Sequence, residues 1–154
     1  IINSEGDGCS AAGPRPQYLV DIRDETNPLI VGTFPYPTNY AELCKRPGPS
    51  THNLDESGLK EDSLSFPFKD TIIASNTKFG LRIYHLQDQH VPFPKVTPPL
   101  IEEIGYFIPP PAAKNNGRVD INYSITDESG LIYVLDGNWG GLYIVKYNGE
   151  IPLS

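Results

Sequence analysis

The sequence predicts an all-β chain built of β-propeller blades, four-stranded antiparallel meanders forming an incomplete ring that another chain or self-association completes. Three observations lead there. Strand-like segments recur along the chain, glycine-bearing hairpin turns occur at matching positions, and 154 residues include 16 Pro and 14 Gly. Apolar residues make up 38% and charged residues 20%. That is too apolar for a disordered chain, and proline this frequent is incompatible with a helical bundle.

Tyr18-Leu19-Val20-Asp21-Ile22, Gly80-Leu81-Arg82-Ile83-Tyr84-His85-Leu86 and Gly141-Leu142-Tyr143-Ile144-Val145-Lys146-Tyr147 are rich in β-branched and aromatic residues and recur at spacings of 64 and 61 residues. A polar turn and a second strand follow the first two, Val31-Gly32-Thr33-Phe34 and Ile104-Gly105-Tyr106-Phe107. Proline comes soon after each, and because it cannot donate to a ladder it stops the strand. Ahead of the second and third copies lie Asp70-Thr71-Ile72-Ile73-Ala74-Ser75-Asn76 and Leu131-Ile132-Tyr133-Val134-Leu135-Asp136. Each joins the next strand through a turn with an aromatic and glycine, Thr77-Lys78-Phe79-Gly80 or Gly137-Asn138-Trp139-Gly140-Gly141, so both read as hairpins. Asp-Glu-Ser-Gly-Leu occurs at 55–59 and again at 127–131, the first copy followed by an insert over 60–69. The opening strand of the unit lies near Thr51 to Leu54 and near Val119 to Ile125.

These pieces assign residues 1–16 to an N-terminal extension, 17–36 to the last two strands of a blade, 38–108 to a full blade, 118–149 to the first three strands of another, and 150–154 to a tail. A meander repeating at about 60 residues with proline-rich links is the pattern of propeller blades. A β-sandwich built from the same strands is the alternative.

The residues that carry this pattern also resemble a known family. Tyr18 to Asp24 with Asn27-Pro28-Leu29-Ile30-Val31-Gly32 resembles the repeat that names the LVIVD-repeat proteins, together with the turn and strand that follow it there. The copy over 80–107 is similar, with His85 where that repeat usually has Asp. Ser50-Thr51-His52-Asn53-Leu54-Asp55-Glu56 resembles the family's histidine-asparagine strand, and Ile72 to Tyr84 its hairpin. The resemblance spans about residues 17–149. It implies a β-propeller and leaves the activity open, because a fold does not fix a function.

About two and a half blades are present, whereas propellers close at about four or more, and an open fan leaves bare strand edges. The chain starts Ile1-Ile2, has no methionine and shows no signal-peptide pattern, which predicts a processed product. The expected partner is a second polypeptide that completes the ring, with self-association as the alternative and a native mass well above 17.0 kDa.

A net charge of −7 and a pI near 4.8 argue against nucleic acid, since the chain repels phosphate and its largest basic cluster is Lys45-Arg46. No stretch approaches the roughly 18–20 apolar residues of a membrane-spanning helix, so no membrane partner is expected. Cys9 and Cys44 lack CxxC spacing and nearby histidine, leaving two free thiols or one disulfide. With the sequon Asn122-Tyr123-Ser124, this favours a secreted or extracytoplasmic location.

In a propeller the opening strands line the channel, and the inter-blade links and hairpin turns gather on one face where ligands enter. That scheme collects Cys44, Lys45, Arg46, Asn76, Lys78, Phe79, Asp136, Asn138 and Trp139 from the links, with His52, Asn53, Arg118, Asp120 and Asn122 from the opening strands. His52 is the candidate acid, base or metal ligand, and Asn53 a candidate carbonyl polariser. The plainer role for His52 is to cap the strand. Asp120 and Asn122 alternate and so point to one side. With His52, and Asp55 as a further carboxylate, they form a candidate site for a divalent cation or an activated water, while a water-filled channel explains their polarity equally well. Lys78 and Arg118 supply local positive charge suited to a carboxylate, although solvated surface charges look the same. Phe79 and Trp139 occupy corresponding turns, for stacking on a ligand or for packing between blades. His85 and His90 read as surface residues.

Motifs for serine hydrolases, phosphate-binding loops, zinc pairs and zincin helices are absent from the sequence. The reading is a propeller portion that binds a small, anionic ligand. The alternative is a processed subunit of an enzyme, a hydrolase, lyase or isomerase acting on a small organic acid, lactone or sugar, with His52 as acid/base and Lys78 or Arg118 orienting the anion.

Overall fold

A computed structural model describes residues 9, 17–46, 53–54, 68, 70–87, 101–110, 114 and 116–153. The protein is all-β, with one short helix among the described residues. Among the described residues nine strands run β1 Tyr18–Asp21, β2 Leu29–Thr33, β3 Asn53–Leu54, β4 Thr71–Asn76, β5 Gly80–Leu86, β6 Ile101–Phe107, β7 Ile121–Thr126, β8 Leu131–Asp136 and β9 Gly141–Lys146, and helix α1 spans Tyr40–Leu43. They form three antiparallel meanders in chain order: β1-β2, β3-β4-β5-β6 and β7-β8-β9.

The middle sheet lies between the other two, and the period-2 alternation of its strands explains how. Ile73, Leu81 and Ile83 point to one side, where they join Val119, Ile121, Ile132 and Val134 of the third sheet in one buried cluster. Ile72, Ala74 and Tyr84 point to the other side and pack with Phe34, Ile101 and Leu19 beside β1-β2. All six residues of β4 are buried, as expected of a strand covered on both faces, each large apolar side chain contributing about 1.5–3 kcal/mol by burial. The outer sheets are covered on one face each. Ile30 on β2 and Leu142 and Ile144 on β9 are exposed.

Two backbone hydrogen bonds join the second and third sheets directly. Thr77 N–H donates to the Ile121 carbonyl at 3.0 Å, and Ile121 N–H donates back to Thr77 at 3.2 Å. Ser75 donates to Ser124 at 3.0 Å across the same interface. The β4-β5 turn that makes this contact depends on Gly80, whose φ is +81° and where a Cβ would lie 2.5 Å from the Phe107 carbonyl; only glycine fits.

An extra residue in β6 builds a polar pair into the other interface. Ile83 pairs with Gly105 and Tyr84 with Glu103, leaving Ile104 bulged out of register. The bulge lets Glu103 and Tyr106 share a face although they lie three positions apart in sequence. Both reach Arg82, whose side chain is fully buried: Nη1 donates to Glu103 Oε1 at 3.1 Å and the guanidinium sits 4.9 Å from the Tyr106 ring centroid. Arg82 Nε also donates to the Phe79 carbonyl at 2.8 Å. Burial pushes the Glu103 carboxyl above its ordinary value and the Arg82 charge draws it back.

A disulfide joins Cys9 to Cys44, just past α1, which resolves the two alternatives left by the sequence. It ties Cys9 to the end of a helix whose Leu43 is buried.

Candidate functional site

Three segments meet at one end of the second and third sheets: the β4-β5 turn, the start of β7 and the β8-β9 turn. The Thr77–Ile121 hydrogen bonds hold the first against the second. Gly137 N–H, donating to the Asp120 carbonyl at 2.9 Å, holds the third there too. The residues named from the sequence on these segments therefore do gather, by backbone pairing rather than by side-chain attraction.

At the start of β7, Arg118 Nη2 donates to Asp120 Oδ2 at 2.7 Å, with both side chains partly buried. Ile121 pairs with Asp136 and Tyr123 with Leu135, so Asn122 is bulged out of the ladder. Its amide turns back, and Nδ2 donates to the Asp120 carbonyl at 2.7 Å and to Oδ1 at 3.0 Å. Asp120 and Asn122 thus share a side as expected, although the cause is a bulge rather than simple alternation. The Asp120 carboxylate is neutralised by Arg118 and bound by Asn122, an arrangement unlike an open cation ligand. Among the described residues no three His, Cys, Asp or Glu side chains converge as a metal site.

The β8-β9 turn is organised by Asp136, which is buried. Its Oδ1 accepts the Asn138 N–H at 2.9 Å, while Oδ2 is buried with no hydrogen-bond partner. Gly140 lies directly over this carboxylate, where a Cβ would overlap it. The next residue back, Trp139, has φ +70° and is 78% exposed. A bulky side chain in the left-handed region is a conformational outlier, costing about 1–2 kcal/mol. It here also holds the chain's single tryptophan out in solvent.

The corresponding aromatic behaves differently. Phe79 is buried and packs edge to face on Tyr40 of α1, ring centroids 5.8 Å apart. Of the two uses open to these aromatics, Phe79 takes the packing one. Asn76 and Lys78 are also buried, and Asn76 Oδ1 accepts Gln17 Nε2 at 3.3 Å. These three support the turn from beneath, whereas Arg118, Asn122 and Asn138 of the ligand-binding set are partly exposed and Trp139 is exposed. Lys45 is exposed and pairs with Glu42 at 2.7 Å, while Cys44 is spent in the disulfide.

His52, Asp55 and His90 lie outside the described residues, and Asn53 is described by its backbone alone, opposite Ser75. His85 is not a surface residue: it is half-buried, pairs across the sheet with Thr71 and Glu102, and buries Nδ1 without a partner. Sequence reasoning missed the Arg82–Glu103 pair and the role of Asp136. A signal was present for Asp136, since an Asx residue followed two positions later by an amide is a common turn stabiliser. A separate surface recess of about 340 Å³ lies at the β1-β2 turn, lined by Asp21, Arg23, Asp24, Asn27 and Leu29. Within it the Arg23 guanidinium holds the Asp21 carboxyl down at about 2.

Against known proteins, no family model, curated protein or solved structure matches this chain.

Proposed function

We propose that the chain is an extracytoplasmic β-propeller portion, completed by a second polypeptide, that binds a small carboxylate-bearing ligand at the end where the β4-β5 and β8-β9 turns meet the start of β7. Support for the propeller comes from three sheets, rather than the two of a sandwich, stacked face to face in chain order. Contact between β3 and β7, the opening strands of successive sheets, fits strands that gather about a common axis. The Cys9–Cys44 disulfide fits an oxidising compartment.

The observation that carries the ligand reading is Trp139, strained at φ +70° and exposed, on the turn that the Gly137 N–H ties to Asp120, the ion-pair partner of Arg118. Backbone strain kept at an exposed aromatic is unfavourable to stability and so points to use. Indole offers a face for an apolar or sugar ring, and Arg118 offers planar recognition of a carboxylate. Because the chain has one tryptophan, its emission reports on this turn alone. Titrating the protein with citrate, gluconate and galacturonate should give a saturable emission change with at least one of them, weakened about tenfold or more by Arg118→Gln. Trp139→Gly should abolish binding measured calorimetrically, yet raise stability by about 1 kcal/mol as the left-handed strain is relieved. If none of the three acids binds to the native chain, or if Trp139→Gly destabilises it, the reading is wrong.

A further inference from the structure

Three dipeptides among the described residues join an asparagine or aspartate to glycine: Asn116-Gly117, Asp136-Gly137 and Asn148-Gly149. In such a step the glycine nitrogen, uncrowded by a side chain, is able to attack the side-chain carbonyl carbon and close a succinimide ring, which is one reason asparagine is thermolabile. The fold treats the three steps differently. Asp136 is buried, and the Gly137 N–H is engaged, donating to the Asp120 carbonyl at 2.9 Å. Gly149 is clamped, because the ring and hydroxyl of Tyr147 lie where its Cβ would sit, and the same hydroxyl donates to the Ile104 carbonyl at 3.3 Å. Both of these steps are held away from the geometry of attack.

Asn116-Gly117 is open. Both residues are exposed, and a Cβ on Gly117 would meet nothing within 4 Å. Their φ values of +52° and +80° form the type I′ pattern that asparagine-glycine pairs favour. A residue with a Cβ meets a steric cost in that region, so the rotation that brings Gly117 N to Asn116 Cγ relieves strain and finds open space beside Gly117. We propose that Asn116 deamidates spontaneously in the folded protein, setting a new carboxylate two residues before Arg118. Gly117 N bonds to Asn116 Cγ, the bond from Cγ to Nδ2 breaks, and the displaced nitrogen leaves as ammonia with the Gly117 proton. Water then opens the ring at either carbonyl, giving aspartate or isoaspartate, and no other reactant is consumed. The effect on the site rests on the ligand reading above: the added negative charge opposes a carboxylate arriving at Arg118, so the modification lowers affinity as the protein ages.

The test follows the native, disulfide-oxidised chain through incubation at neutral pH and body temperature, with peptide mapping by mass spectrometry. Conversion at Asn116 is expected to run about tenfold faster than at Asn148, as local protection of the second step requires, with no isoaspartate at position 136. In denaturant the two asparagines are expected to convert at similar rates. Native-state conversion of Asn148 as fast as that of Asn116, isoaspartate at position 136, or an Asn116 that converts only in denaturant overturns the proposal. Asn116→Asp reads the consequence for the site, and Asn116→Gly, which keeps the turn without the reactive amide, is its control. Affinity for whichever of citrate, gluconate and galacturonate the native chain binds is expected to fall about threefold or more in Asn116→Asp and to stay unchanged in Asn116→Gly. Equal affinity of Asn116→Asp and the native chain overturns the effect on the site and leaves the mapped modification standing. Failure of all three acids to bind the native chain overturns the ligand reading, and that effect with it, while selective conversion of Asn116 stands or falls on the peptide map alone.

Discussion

The middle and third sheets are two readings of one pattern. Both present a turn glycine followed by Leu-x-Ile, in Gly80-Leu81-Arg82-Ile83 and in Gly141-Leu142-Tyr143-Ile144, yet the first is enclosed and the second half open. The difference teaches that burial along this chain is set by the neighbouring sheet, not by the strand's own composition. It also shows what enclosure permits. Covered on both faces, the middle sheet holds Arg82 at the position where the third sheet has Tyr143, with Nη1 donating to Glu103 and Nε to the Phe79 carbonyl while Nη2 is buried without a hydrogen-bond partner.

The largest expected effect breaks that enclosed pair. Arg82→Ala leaves the Glu103 carboxylate poorly compensated and should cost about 3–5 kcal/mol in chemical denaturation, as for other buried pairs that lose one partner. The same pair gives a pH dependence. Because burial raises the folded-state pKa of Glu103, its proton favours the fold: the stabilisation is full below the ordinary carboxylate range and is lost as pH rises through the raised value. Glu103→Gln should flatten stability across that window, and an unchanged slope would remove Glu103 as its source.

The next comparison is direct. Leu81→Ala, at a position with no exposure, should cost about 2–5 kcal/mol, while the equivalent Leu142→Ala in the isolated chain should cost less than about 1 kcal/mol, because little area is removed from water either way. Similar losses at the two sites would mean that the third sheet's outer face is already covered.

The smallest effect concerns the turn at the far end of the third sheet. Asp127 Oδ1 accepts the Ser129 and Leu131 N–H groups and the Ser129 hydroxyl, and Oδ2 accepts the Tyr133 hydroxyl. These bonds, led by that from Ser129, hold its carboxyl below the ordinary value against a smaller opposing desolvation. Its contribution is therefore present above the usual aspartate range and lost as pH falls through the lowered value. Asp127→Asn should remove that acid-side slope and speed hydrogen exchange at Leu131, and protection unchanged at Leu131 would show that the turn does not depend on the carboxylate.

Much of the strand plan was legible in the sequence. Gly80 to Leu86 and Leu131 to Asp136 were bounded by turns, and β-branched runs between glycines admit few other structures. The start of β6 was less so, because the predicted strand began at Ile104 whereas the ladder begins at Ile101; a bulge breaks the alternation that pattern reading depends on. Arg82 hid for the opposite reason. A charged residue in an alternating strand reads as solvent-facing, and only a second covering sheet makes both faces interior. In the candidate site the gathering of turns was expected from the propeller scheme, but which members stay accessible was not. Phe79 and Trp139 hold matching places in sequence, and it is α1, through Tyr40, that buries one and leaves the other out.

The paired hydrogen bonds between Thr77 and Ile121 bear on the order of assembly. Each meander is local and can form by hairpin closure within its own stretch of chain, whereas this contact joins segments that have the whole of β5, the following link and β6 between them. Closing so long a loop is entropically slow and gains its reward only after both turns exist. The sheets are therefore expected to form first and the stitch last, which puts completion of the end where the turns gather at the final step of folding.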